Sequence, residues 1–124
     1  MKSELIHLPA LDYYTLVNFF GSQNHLDDVP LEKLLGEAIC FLSKSVKIAD
    51  LPKAHHGLFS RHTLISLVID ASFVSTIEAN LGVNLEDPSE DIERLAYYFA
   101  KLPDYRKMEV MKDGSLSNQA VSAK

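Results

Sequence analysis

The chain has 124 residues, 47% of them hydrophobic and 23% charged, which argues against disorder and suffices for one domain with a real core. Its net charge of −5 speaks against nucleic-acid binding, which needs clustered Lys and Arg, and no run approaches the ~20 apolar residues of a membrane span. One cysteine, Cys40, leaves no internal disulfide and fits a reducing compartment. The opening MKSELIHLPALDYY lacks the apolar stretch of a secretory signal, so a cytoplasmic protein without membrane contact is expected.

Residues 1–9 read as a lead-in closed by Pro9, which can open a helix but not continue one. A first helix is expected over Ala10–Phe20, stopped by Gly21, with Tyr13, Leu16, Val17 and Phe20 as its inward stripe. Leu11 and Phe19 then fall on the other side as spare apolar groups. After a polar loop over Ser22–Asp28, a second helix begins near Asp28-Val29-Pro30 and runs to about Val46. Leu31, Leu34, Leu35, Ala38, Ile39 and Leu42 form its broad apolar face. Lys44 and Lys47 complement its C-terminal dipole. The reverse face carries Gly36, Cys40 and Ser43, a row of small groups. A solvent-facing row is preferred there over close approach of another helix.

Ile48–Phe59 is a connector broken by Leu51-Pro52. The stretch from Ser60 to Leu81 follows, apolar most of the way round a helical wheel, and reads as a buried central helix capped by Ser60 and ended by Gly82. Its richness in Ile, Val, Thr and Phe is the competing signal for strand, but no turn interrupts it. A fourth helix begins at Asp87-Pro88-Ser89-Glu90, buries Ile92, Leu95, Ala96 and Phe99, and ends at Pro103. Residues 105–111 form a short helix or a strand, and 113–124 have the composition of a flexible tail.

The expected fold is therefore all-α, four or five helices bundled around 60–81 in one domain over 1–112. An α+β fold is the alternative if 64–69 or 105–111 are strands. No catalytic signature emerges, and whether the protein is an enzyme stays open. His55, His56 and His62 lie close together but lack the Cys pair or His-Glu-x-x-His that would complete a zinc set, so no metal or cofactor is expected. Asp70 falls among apolar neighbours on the wheel and must pair, hold a proton or reach water. Tyr97, Phe19 and Leu11 are left over by the inward stripes and mark a candidate interface. The preferred function is a non-enzymatic interaction or regulatory domain that self-associates. The alternative is a small enzyme or ligand-binding protein with a pocket using Asp70 and a histidine.

Overall fold

A computed structural model describes residues 3–22, 29–51, 63–82 and 88–112. The chain is mostly helical with a small two-stranded sheet. Its elements are β1 (Glu4–Pro9), α1 (Ala10–Ser22), α2 (Leu31–Leu42), a single 3₁₀ turn at Ile48–Asp50, β2 (Leu64–Ile69), α3 (Ala71–Leu81) and α4 (Pro88–Lys101). A further helix, α5, covers residues 104–112. His25, Ser60, Val83, Asp87 and the tail over 113–124 lie outside the described residues.

The buried helix expected over 60–81 does not form. Residues 64–69 are a strand, helix starts only at Ala71, and Asp70 stands at the junction. The lead-in reading of residues 1–9 is overturned with it, because Glu4–Pro9 is the antiparallel partner of β2, from Glu4 opposite Ile69 to Pro9 opposite Leu64. The physical reason is long-range. The β-branched residues of Leu64–Ile69 suit a pleated strand, but their ladder partners, Glu4–Pro9, lie far earlier in the chain.

The register explains the edges. In an antiparallel pair the N–H groups of alternate residues point away from the partner strand. On β1 the outward amide of His7 donates to Glu93 Oε2 of α4 at 2.8 Å. On β2 the outward amide of Val68 donates to Glu32 Oε2 of α2. Each edge of the sheet is thus met by a glutamate from a helix. Pro9 occupies an outward position of the same series, where a missing N–H interrupts nothing. Ser89 Oγ, in the first turn of α4, donates to Glu4 Oε2 at 2.7 Å and ties the same helix to the start of β1.

Ile6, Leu8, Leu67 and Ile69 form the inner face of the sheet and are buried. Ile92, Leu95, Ala96 and Phe99 of α4 are buried, as its spacing predicts, and the helix lies against β1. Phe20 and Phe99 stack with ring centroids 6.2 Å apart, and Phe19 meets both rings edge-on. Of the expected Tyr13–Leu16–Val17–Phe20 stripe of α1, Leu16 and Phe20 are fully buried and Tyr13 packs partly buried against the core; Asp12 and Phe19 turn inward beside them, and the helix continues through Gly21 to Ser22. Helix α2 is shorter than expected, ending at Leu42.

The small-residue row of α2 is covered, which corrects the solvent-facing reading. A Cβ placed on Gly36 would lie 2.4 Å from the Phe73 ring of α3. Further along the same seam, Cys40 Sγ donates to Phe73 O at 3.7 Å, and Asn80 Nδ2 donates to both Cys40 O and Ser43 Oγ at 3.0 Å. Helix α3 then ends as its sequence predicts: Gly82 adopts φ 72°, and its amide reaches Glu78 O and Ala79 O.

The seam gives a direct test. Alanine ordinarily favours a helix over glycine by about 1 kcal/mol. At position 36 the order reverses, because the Phe73 ring must be displaced, and Gly36→Ala is expected to cost about 1–3 kcal/mol in thermal or urea unfolding. In a Phe73→Leu background the same change becomes neutral or favourable; a stabilising Gly36→Ala in the wild type contradicts the packing described.

Candidate functional site

Two features stand out once the fold is laid down: an apolar surface on the outside of the sheet, and a charge cluster built on the buried Asp12 and Lys107 where α1, α4 and α5 meet. Strand geometry creates the first. Alternation sends Ile6 and Leu8 inward and leaves Leu5 and His7 outward; across the ladder it leaves Leu64, Ser66 and Val68 outward. Leu5 and Val68 sit directly opposite each other in a non-hydrogen-bonded pair, the closer kind, and are 48% and 45% exposed. Leu64 is exposed opposite Pro9, just before Leu11 (73% exposed) and Tyr14 at the start of α1. His7 is the only titratable group on this side of the two strands, and its Nδ1 lies 3.6 Å from Glu93 Oε2.

The second feature begins with Asp12, which is only 3% exposed. A buried carboxylate without a partner is costly. Lys101 Nζ answers it at 2.9 Å from Asp12 Oδ1 and also lies over the Tyr97 ring, 5.1 Å from its centroid. The bond to Asp12 holds the Lys101 ammonium above its ordinary range. Lys107 of α5 is buried beside this pair. Its Nζ donates to Leu102 O at the end of α4, stands 5.7 Å from the centre of the Phe19 ring and 3.8 Å from Asp104 Oδ1. Burial pushes the Lys107 amine down, against the pull of Asp104 and Asp12.

The residues singled out from the sequence are scattered across the molecule. Asp70 is exposed rather than surrounded by apolar groups. It precedes α3, its carbonyl accepts the amides of Phe73 and Val74, and its side chain makes no capping bond. It borders a surface cleft of about 270 Å³ with Glu32, Lys33 and Phe73. His55, His56 and His62 lie outside the described residues. Among the described residues no three His, Cys, Asp or Glu side chains converge on a point where an ion could sit. Of the interface candidates, Leu11 is exposed, Tyr97 is half-buried beneath Lys101, and Phe19 is buried in the protein's own core. Phe19 is therefore not a spare surface group. Its burial follows from the rotation of α1, which turns Asp12 and Phe19 inward together.

Sequence reasoning missed Asp12, Lys107 and the exposed sheet face. Asp12 had a usable signal, since 12, 16, 19 and 20 share one helix face; an apolar-only search passes over it. The outward set Leu5, Leu64 and Val68 needs the strand register, which no local pattern supplies. A cleft of about 450 Å³ between the ends of α2 and α3 is lined by Lys44, Lys47, Ser45 and Asn80 among others. Lys44 and Lys47 lie beyond the end of α2, whose last turn holds no basic residue, and Lys44 Nζ stands over the Phe41 ring.

No helix among the described residues is long and apolar enough to cross a membrane. The chain matches no family model, no curated protein and no solved structure.

Cys40 allows a pH test of the α2–α3 seam. Burial, reinforced by Glu37, pushes its thiol from an ordinary 9.0 to about 12. The unfolded thiol thus ionises first as pH rises, so this group's contribution to stability is whole below 9 and is lost progressively from 9 toward 12. At pH 9, iodoacetamide is expected to alkylate the native protein roughly two to three orders of magnitude more slowly than the urea-unfolded chain. Equal rates would show that the seam is not closed over the sulfur.

Proposed function

We propose that this protein is a non-enzymatic interaction module that self-associates through the outer face of the β1–β2 sheet and the adjoining start of α1. The observation that carries this reading is the exposed cross-strand pair Leu5–Val68, extended by Leu64, Leu11 and Tyr14. A cluster of exposed large apolar side chains costs solvation unless something covers it, and such patches recur where proteins meet. A second copy related by a two-fold axis suits the patch, because a self-complementary contact sets the apolar Leu5–Val68 pair against its own symmetry mate. Ser66 and His7 supply the polar component typical of a non-obligate interface.

We read the protein as cytoplasmic as well, on the strength of its single buried free thiol. The reading of Asp70 as part of a reactive pocket draws no support from its exposed position.

Sedimentation velocity across a concentration series tests the proposal. The wild type is expected to gain mass between about 1 and 100 μM, the range of a modest interface. Leu5→Lys and Val68→Lys are expected to remain monomeric with unchanged circular dichroism, while Asp70→Asn associates like the wild type. A wild type that stays monomeric throughout, or lysine variants that associate equally, would overturn it.

A further inference from the structure

We propose that α5 is a latch, a C-terminal helix that docks reversibly on α1 and the end of α4 with Lys107 as its pin, opening while the rest of the fold stays intact. Burial shows how little holds it. Of residues 104–112, Lys107 alone is fully buried; Val110 and Met111 are half-buried against the core, and the other six, including Tyr105 and Met108, are exposed. A helix of this length has scant stability of its own, so its order depends on docking.

The pin is an unfavourable one to bury. An ammonium taken out of water loses hydration, and what faces it must make good the loss. Just past the end of α4 it meets the Leu102 carbonyl, and Lys101 of α4 binds the same Asp12 carboxylate. From α1 it meets the Phe19 ring and the field of the Asp12 carboxylate, which already serves Lys101. From α5 itself comes Asp104, at 3.8 Å, the larger of the two acidic pulls on the ammonium but 78% exposed and therefore screened by water. The ammonium is thus offset by one carbonyl, one ring face, one solvent-screened acid and one acid shared with Lys101. Docking rests on a few half-buried apolar groups minus this cost.

The hinge is equally lightly tied. Leu102 N closes the last turn of α4 on Phe99 O, and the amides of Arg106 and Lys107 open α5 on Pro103 O. Pro103 has no amide to offer and breaks the helix between them. Both helices therefore keep their internal hydrogen bonds whether α5 is docked or swung away. Elements with few buried contacts on such a hinge open locally, below the free energy of global unfolding.

Native-state amide exchange on the full chain tests this. Amides in the last turn of α5, residues 110–112, are expected to exchange at least about 100-fold faster, after correction for intrinsic rates, than the inward residues Leu95–Phe99 of α4. Lys107→Met, which keeps the length of the side chain and removes its charge, is expected to slow α5 exchange severalfold, whereas Lys107→Ala speeds it, with α4 unchanged in both. Exchange of α5 in step with α4 in the wild type would mean that it opens only with the whole fold and would overturn the proposal. So would a Lys107→Met variant that loosens α5 as much as Lys107→Ala does.

Discussion

A two-stranded sheet has no interior strand, and this one survives because glutamates from two helices close its edges. On its own such a pair is marginal in water, and each outer edge is a row of unsatisfied backbone groups. Glu93 of α4 takes the outward amide of His7, and Glu32 of α2 takes that of Val68. The carboxylates do locally what neighbouring strands would do in a larger sheet. They also orient the helices, since α4 and α2 must each bring one particular side chain to one particular amide.

Much of the remaining architecture follows from that clamp. With α4 against β1 and α2 against β2, the inner face of the sheet closes over Ile92, Leu95 and Phe99, and the stacked Phe20–Phe99 pair fills the space under α1. With both flanks occupied by helices, α3 has the reverse side of α2 to pack on, and the absent side chain of Gly36 is what admits the Phe73 ring. The clamp works only from the flanks and beneath. Among the described residues no element packs on the outer face of the sheet, and Leu5, Leu64 and Val68 remain exposed there.

How much of this could be read from the sequence depended on whether the deciding interaction was local. Helix α4 was legible because every local signal agrees: Pro88 at its start, Ile92, Leu95, Ala96 and Phe99 at helical spacing, and Pro103 beyond its end. The left-handed Gly82 was legible for the same reason. Residues 64–69 were not. Leu-Ile-Ser-Leu-Val-Ile is a short apolar run that suits a buried helix as well as a strand, and the choice is made by Glu4–Pro9 far away in sequence. The candidate surface inherited that difficulty: Leu11 could be found from a wheel, whereas Leu5 and Val68 become neighbours only when the register is known. Lys107 shows the opposite failure. Nothing around it in the sequence marks a lysine for burial, and it is buried because three helices converge there.

The closure of the sheet edges is most directly tested by residue-resolved amide exchange on β1 and β2. The amides of His7 and Val68 point away from the ladder, as do those of Leu5 and Ser66, but among the described residues only the first two find an acceptor. The account predicts that His7 and Val68 are protected while Leu5 and Ser66 exchange freely. Four equally unprotected amides would contradict it, and so would the absence of cross-strand contacts between Ile6 and Leu67.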